Sequence, residues 1–231
     1  MIKSYIEKFI RKYKNSNFSF DDELTISMLI SFSLDKLISH LRSYKLLFWF
    51  RFTIFNFYGT SVKFKNLSKI KLGKWVQLDD YVYLNGLGKG FLTIGDKTNI
   101  GAFTRIIVST SYSNLGEFIY IGNNVGIGEY SRIGGSGGVS IGDNTIIGQY
   151  LSVHPENHNF QDTNKLIKDQ GTTRGAVTIG ENCWIGAKVT ILASVNIGKN
   201  CIIAAGSVVT KDIPYNSIAA GVPAKVLNKR I

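Results

Sequence analysis

The sequence predicts a mainly β protein, a parallel β-helix of six-residue repeats with an α-helical segment at its N-terminal end. Aliphatic residues recur every six positions, they group into triplets, and every interruption falls between two triplets. Three repeats make one triangular coil of eighteen residues, so all insertions leave the solenoid at one corner. The triplets predict about six coils or more, at Leu72, Leu78, Leu84; Ile94, Ile100, Ile106; Ile121, Ile127, Ile133; Ile141, Ile147, Val153; Ile179, Ile185, Ile191; and Ile197, Ile203, Val209.

A second inward-facing position is predicted four places after each repeat residue, where small or β-branched side chains are usual. Cys183 and Cys201 occupy this position eighteen residues apart, so we expect two buried thiols stacked in adjacent coils. Gly often follows the aliphatic residue, where it fits a turn. The two cysteines and the absence of a secretory leader predict a reducing, cytoplasmic setting.

The chain is expected to divide into an N-terminal helical, aromatic and basic segment at 1–58 and a β-helix domain at 59–231. Helical spacing at 4–14 and 22–43 predicts two helices, with Asp21 or Asp22 as a cap. We expect these helices to cover the open first coil, whose strand edges would otherwise be unpaired, and the stretch 222–231 to lie across the last coil.

The net charge of +11 is unevenly distributed, and residues 1–70 hold twelve Lys and Arg against five acids. The run at 44–58 is rich in aromatics, contains Arg51 and is too short to span a bilayer. Two interpretations stay open: peripheral contact with the anionic inner face of a membrane, or packing against a neighbouring domain or subunit. Because the positive charge is concentrated in the N-terminal residues that are expected to cap the β-helix, and no nucleic-acid recognition motif accompanies it, we expect no nucleic-acid partner.

The largest interruption is the loop at 154–178, which places Val153 and Ile179 26 positions apart instead of six. Such a loop is uncommon unless it is functional. It carries His154 and His158, two of the three histidines in the chain. A neutral imidazole can accept the proton of a hydroxyl at neutral pH, so both are candidate general bases.

Four stretches resemble the hexapeptide-repeat acetyltransferases, in particular the galactoside-type and surface-polysaccharide O-acetyltransferases: HNF at 158–160, IGENCWIGA at 179–187, AAGSVVTKDIP at 204–214 and AAGVPAKV at 219–226. The resemblance covers the chain from about Leu72 onward. It implies a left-handed β-helix, a homotrimer with each active site between two neighbours, and acetyl-CoA as donor. It also implies transfer of acetyl to a sugar hydroxyl in surface polysaccharide biosynthesis.

The resemblance assigns His158 as the general base, with His154 as the alternative. Acceptor contacts are weaker candidates, and no metal is expected. The residues implied for the cofactor are Trp184, Gly186, Ala187, Ala205, Thr210, Lys211 and Lys225, and those for the acceptor are Glu129, Tyr130, His154 and Glu156.

The sequence departs from the family pattern at two places. Ala187 stands where many relatives carry Ser, which removes one possible hydroxyl contact to the cofactor. The run GGSGG at 134–138 replaces a region with an acidic acceptor contact, which leaves the acceptor open. An acceptor such as an antibiotic or serine, the amine of an aminosugar, and a non-catalytic scaffold are the alternatives. A γ-class carbonic anhydrase is disfavoured because it needs three zinc-binding histidines, and His40 lies far away in the helical segment.

Overall fold

The computed structural model describes residues 2–13, 16–49 and 55–230, in which two α-helices precede a three-sided parallel β-helix. Helix α1 spans Ile2–Tyr13 and α2 spans Ile26–Ser43, and short 3₁₀ helices occupy Tyr44–Trp49, Leu67–Lys69 and Ile167–Asp169. The strands are β1 Phe57–Tyr58, β2 Lys63–Lys65, β3 Ile70–Leu72, β4 Gln77–Leu78, β5 Tyr83–Asn85, β6 Leu92–Ile94, β7 Asn99–Ile100, β8 Arg105–Ile107, β9 Ile119–Ile121, β10 Gly126–Ile127, β11 Arg132–Gly134, β12 Val139–Ile141, β13 Ile146–Ile147, β14 Ser152–His154, β15 Glu156–His158, β16 Thr172–Arg174, β17 Val177–Ile179, β18 Trp184–Ile185, β19 Thr190–Leu192, β20 Asn196–Ile197, β21 Ile202–Ile203, β22 Val208–Val209, β23 Ser217–Gly221 and β24 Ala224–Lys229.

Three sheets form the faces of the prism. Face A has the order β1-β4-β7-β10-β13-β18-β21-β23-β24, face B the order β2-β5-β8-β11-β14-β19-β22, and face C the order β3-β6-β9-β12-β17-β20. Neighbouring strands are parallel, as a solenoid requires, except in the final hairpin of β23 with β24. The seven strands of face B mark seven stacked coils.

The predicted repeat is confirmed. Its eighteen aliphatic residues lie inside the prism, buried in all cases but Leu72, which is half-buried against the same core. Before Leu72 the structure adds strands that the aliphatic pattern did not show. Tyr58 lies in register with Leu78 and Phe64 with Leu84, so aromatic residues take the repeat positions of the first coil. The strand Phe57–Tyr58 stands just before the predicted domain boundary at 59.

Every long insertion leaves the prism at the corner between faces B and C, as the triplets predicted. The chain leaves β8 at Ile107 and returns in β9 at Ile119, and it leaves β14 at His154 and returns in β17 at Val177. The other two corners stay tight, and the coils there stack without interruption. This arrangement places both insertions side by side on adjacent coils.

The glycines after the repeat residues have a different role from the one expected. The left-handed corner residues are mostly larger, such as Tyr130 at φ 56° and Asn144 at φ 58°. A Cβ on Gly128 would lie 2.4 Å from the backbone N of Gln149 in the next coil. These glycines are therefore required by the close approach of successive coils rather than by the turn conformation.

Thr25 caps α2, so the prediction of Asp21 or Asp22 is wrong. The Thr25 hydroxyl accepts a hydrogen bond from the Met28 N–H at 3.3 Å, whereas the Asp21 carboxylate accepts one from the Glu23 N–H at 2.9 Å. Asp21 is thus engaged in a turn that precedes the helix.

Helix α2 packs beside the first strand of face A, and the segment after it contributes Leu46 to the buried core of the first coil. Lys36 donates to the Gln77 side chain at 2.7 Å. At the other end, β24 extends face A beside β23, which is how the C-terminal stretch covers the last coil. Residues 50–54 of the aromatic run lie outside the described residues. No helix in the described ranges is long and apolar enough to cross a bilayer.

Candidate active site

A cavity of about 420 Å³ opens at the B–C corner between the two long insertions. It is lined by the end of β8 and the chain after it, by the glycine-rich run after β11, and by both strands at the root of the 154–178 loop. The cavity contains His154, Glu156 and His158, together with Arg132 and Arg174. Both candidate bases therefore line one space.

His154 is the last residue of β14, and it points away from the core because its neighbour Val153 is buried. Its Nε2 lies 2.7 Å from the Ser152 hydroxyl. Partial burial in the cavity lowers the pKa of His154, and the positive charge of Arg132 lowers it further. The imidazole is consequently held in its neutral form, which can accept a proton.

His158 ends β15, in a two-stranded antiparallel hairpin with β16 that stands outside the prism. It is exposed and lies opposite Thr172. Asn159 fixes the hairpin by donating to the Gln170 carbonyl at 3.1 Å and accepting from the Thr173 hydroxyl at 2.7 Å. Within the described parts of the chain the His158 imidazole makes no polar contact, so its nitrogens are available to a substrate.

Arg174 joins the two insertions, a role that the sequence analysis missed. Its Nε donates to the Glu156 carboxylate at 2.8 Å, and its other nitrogens donate to the Leu115 carbonyl at 2.7 Å and the Asn114 carbonyl at 3.0 Å. The Glu156 carboxylate is thereby engaged within the protein rather than free for an acceptor. Leu115 and Asn114 lie about sixty residues before Arg174 in the sequence, and no motif connects them with it.

The glycine-rich run at 134–138 lies in close contact with the backbone of both insertions. A Cβ on Gly137 would lie 2.3 Å from the Pro155 carbonyl oxygen, and one on Gly135 would lie 2.9 Å from the Val108 Cα. Any side chain at these two positions would push the insertions apart. The glycines at 134–138, which depart from the family pattern, thus allow the two insertions to lie close together around the cavity.

The residues assigned to the cofactor lie at other places on the prism. Thr210 and Lys211 follow β22 at the B–C corner, two coils beyond His154, whereas Lys225 lies on the edge strand β24 of face A. Trp184 is 55% exposed on face A. Gly186, Ala187 and Ala205 lie at the corner between faces A and B, where a Cβ on Gly186 would meet the Ala205 N at 2.4 Å.

The A–B corner also holds Glu129 and Tyr130, which the structure does not bring to the cavity. Tyr130 stacks between Phe103 and Tyr150, with ring centres 5.0 and 5.2 Å away. Among the assigned acceptor residues, His154 and Glu156 line the cavity with His158.

The two cysteines lie as predicted, buried and stacked in adjacent coils. The Cys201 N–H donates to the Cys183 sulfur at 3.4 Å, and both thiols are free. Within the described residues, no three His, Cys, Asp or Glu side chains lie together in a way that could hold a metal ion.

Comparison with known proteins gives matches in sequence. Residues 176–211 match the family described as bacterial transferase hexapeptide (six repeats). YJL218W of Saccharomyces cerevisiae, named as an acetyltransferase, is 37% identical over 167 residues, which are 71% of this chain and 84% of that protein. Galactoside O-acetyltransferase of Escherichia coli is 38% identical over 51% of this chain, but the match spans only 57% of that enzyme.

WbbJ of Escherichia coli, named as a lipopolysaccharide biosynthesis O-acetyl transferase, is 29% identical over 74% of this chain and 83% of its own length. Among solved structures, a point mutant of AntD, an N-acyltransferase from Bacillus cereus in complex with dTDP and coenzyme A, superposes with a TM-score of 0.57. It is 21% identical and covers 75% of this chain and 86% of its own, which shows a shared fold.

Three findings indicate the same family: the eighteen-residue coils, the insertions at one corner, and the similarity to YJL218W over most of both chains. The chain belongs to the hexapeptide-repeat acetyltransferases and has their left-handed parallel β-helix.

Proposed function

We propose that this protein transfers the acetyl group of acetyl-CoA to a hydroxyl of a sugar, with His158 as general base. The observation that carries the proposal is the cavity at the B–C corner, where two histidines of an acetyltransferase chain converge between its two long insertions. The exposed His158 imidazole on a braced hairpin is free to meet an acceptor hydroxyl.

In the proposed reaction His158 takes the proton of the acceptor hydroxyl as its oxygen attacks the thioester carbonyl of acetyl-CoA. The carbon–sulfur bond then breaks, and the proton passes to the departing CoA thiolate. General base catalysis of this kind contributes ~10² to 10⁴ in rate, and holding both substrates in one groove adds to it. His154 is the alternative base, since it is held neutral beside Ser152 in the same cavity.

We place acetyl-CoA against Trp184, Gly186, Ala187 and Ala205, with its phosphates near Thr210, Lys211 and Lys225. Most of these residues lie away from the His158 cavity within one chain. A homotrimer in which the A–B corner of one subunit meets the B–C corner of its neighbour would bring the two halves together. Lysine ammonium groups are suitable partners for the cofactor phosphates.

The acceptor that we favour is a sugar of a surface polysaccharide or of its precursor. The likeness to WbbJ, with its lipopolysaccharide name, supports this choice. The basic residues of the first seventy positions and the exposed apolar side chains of α2, such as Ile26, Met28 and Leu41, support a cytoplasmic enzyme that is peripheral at the inner face of a membrane. A small molecule or the amine of an aminosugar is the alternative acceptor.

The test is release of free CoA thiol from acetyl-CoA in the presence of sugar and glycan acceptors, for the unaltered protein, His158→Ala and His154→Ala. We expect acceptor-dependent release that falls by ~10² to 10⁴ in His158→Ala and far less in His154→Ala. The control is His40→Ala, which removes the third imidazole, on α2 and outside the cavity.

Loss of release in His154→Ala alone would transfer the role of base to that residue. If the folded protein released no thiol with any acceptor and did not bind CoA, the enzyme proposal would fail in favour of a scaffold. Thermal unfolding of each variant separates loss of chemistry from loss of the fold.

A further inference from the structure

Arg132 is a charged side chain of the active-site cavity that no acidic group of the described residues neutralises. Apart from the histidines, the titratable residues that line the cavity are Arg132, Glu156 and Arg174. Glu156 and Arg174 form an ion pair at 2.8 Å, whereas Arg132 is exposed and takes part in none of the ion pairs among the described residues. The cavity therefore offers one unbalanced positive charge, which a negatively charged ligand group would complement.

Arg132 lies close to the candidate bases. The register of β11 with β14 places Arg132 beside Ser152, and His154 is two residues further along the same outward row. One strand step of ~4.8 Å and two residues of ~3.3 Å each put the Cα atoms of Arg132 and His154 ~8 Å apart. The Arg132 charge is also one of the two causes that lower the pKa of His154. A single sugar unit can span the distance between these two side chains.

Along the prism, Arg132 and the residues assigned to acetyl-CoA lie on opposite sides of His154. The coil of Arg132, from β9 to β11, directly precedes the coil of His154, from β12 to β14. Trp184 lies on β18 in the coil that follows, and Ala205 and Lys211 lie later still. A trimer with its threefold axis along the prisms keeps this order in every subunit. Arg132 is therefore positioned to contact the acceptor and not the cofactor.

Gly134 leaves space in the cavity that the packing of the coils does not require. It ends β11 two residues after Arg132, and it lines the cavity. A Cβ on Gly134 would lie 3.4 Å from the Val153 carbonyl oxygen and 3.6 Å from the Pro155 Cδ, which are ordinary contact distances. Gly134 thus differs from Gly135, where a Cβ would collide with the backbone. The absence of a side chain at Gly134 keeps the cavity floor open beside Arg132.

Building on the proposed acetyl transfer, we propose that the acceptor is a sugar that carries a carboxylate, and that Arg132 binds this carboxylate in the cavity. The sugar ring lies over Gly134, with the hydroxyl that receives the acetyl group toward the histidines. A guanidinium can donate two parallel hydrogen bonds to a carboxylate. One unpaired cation matches the single charge of a carboxylate better than the ~1.5 to 2 charges of a phosphate monoester.

The proposed trimer is compatible with this site. The cavity at the B–C corner is where the acceptor meets the acetyl group of the cofactor that the neighbouring subunit binds. The cavity must therefore stay open to the acceptor in the assembled protein, even though the corner around it contacts that neighbour.

The test is calorimetric titration of the full chain at pH 8 in the presence of CoA. The probes are glucuronate, galacturonate and mannuronate, each compared with its neutral parent hexose. At this pH the His154 imidazole is neutral with or without the Arg132 charge, because its ordinary pKa is 6.5. We expect at least one uronate to bind about tenfold or more tightly than its parent hexose.

Three variants and a control locate the binding of the carboxylate. Arg132→Gln should remove the preference for the uronate, and Arg132→Lys should retain part of it. Gly134→Leu should weaken the binding of uronate and hexose alike, because the new side chain fills the cavity floor. The control Lys168→Gln removes the same charge from an exposed position of the 154–178 loop outside the cavity, and its affinities should stay within about twofold. Thermal unfolding checks that each variant is folded.

The proposal is overturned if no uronate binds more tightly than its parent hexose, if the preference survives in full in Arg132→Gln, or if Lys168→Gln loses as much. Unchanged uronate binding in Gly134→Leu, or tighter binding of galactose 1-phosphate than of every uronate, would also overturn it. Thiol release is measured separately. Arg132-dependent binding without any transfer would refute the proposed function alone, whereas equal transfer to neutral sugars and uronates would refute the role of Arg132 alone.

Discussion

At the scale of single residues, His154 shows how its surroundings set a protonation state. Partial burial and the Arg132 charge both lower the pKa of its imidazole. We expect the NMR titration midpoint of His154 to lie below the ordinary value of 6.5, and to rise toward it in Arg132→Gln because one of the two causes is removed.

The matched control for this titration is Lys188→Gln, which removes a positive charge at the A–B corner. The titration midpoint of His154 in Lys188→Gln should equal that in the unaltered protein. A midpoint that Arg132→Gln lowers or leaves unchanged would show that the arginine does not act on the imidazole. In the range between the two midpoints, the unaltered protein holds more of the neutral, proton-accepting form.

The sequence pointed to three residues that line the cavity, His154, Glu156 and His158, and it missed those that reach the cavity only through the fold. The loop with His154 and His158 stands out because it breaks a strict period. Arg174, the sole arginine of that loop, bonds to carbonyls about sixty residues earlier, and Arg132 reaches the cavity only through the stacking of coils. Contacts between distant coils leave no local signal in a single sequence.

At the scale of coils, the repeat was predictable because each inward position needs a buried aliphatic side chain. The first coil escaped prediction because Tyr58 and Phe64 replace the aliphatic residues. The cap of α2 also escaped it, since Asp21 and Thr25 are both acceptable caps and the turn around Glu23 decides between them.

Two glycines of one coil give a matched test of coil stacking. A Cβ on Gly128 would lie 2.4 Å from the Gln149 N, whereas one on Gly126 would meet nothing within 4 Å. We expect Gly128→Ala to lower the free energy of unfolding by ~1 to 3 kcal/mol, because the next coil must move. Gly126→Ala should cost nothing and gain slightly from a less flexible unfolded chain.

The measurement is thermal or denaturant unfolding of both variants beside the unaltered protein. For a chain of this length, each kcal/mol corresponds to ~2 to 4 °C in the unfolding midpoint. Equal midpoints for the two variants would mean that the coils are loose enough to accept a methyl group between them. That result would contradict close approach as the reason for the glycines.

At the scale of the whole molecule, the separation of His158 from Ala205 leads to a prediction about assembly. The proposed trimer places them in one site only when they come from neighbouring subunits. His158→Ala and Ala205→Glu should each be inactive alone, whereas trimers reassembled from an equal mixture should regain activity at about a quarter of their sites, namely those that pair two intact halves.

Thiol release before and after mixing measures this recovery, and the mass in solution should be about three times that of the 25.6 kDa chain. The Ala205 side chain is exposed, so glutamate there can be accommodated without disturbing the coil. A mixture as inactive as its components, at trimeric mass, would place the whole site within one chain.

The stacked thiols of Cys183 and Cys201 make the opening of the last coils measurable. Burial raises the pKa of Cys183 to about 11 and also raises that of Cys201, so neither sulfur is a ready nucleophile while the coils are closed. An alkylating reagent can reach them only when the end of the solenoid frays. The rate of alkylation therefore reports how often that end opens, and the two native cysteines make an engineered cysteine unnecessary.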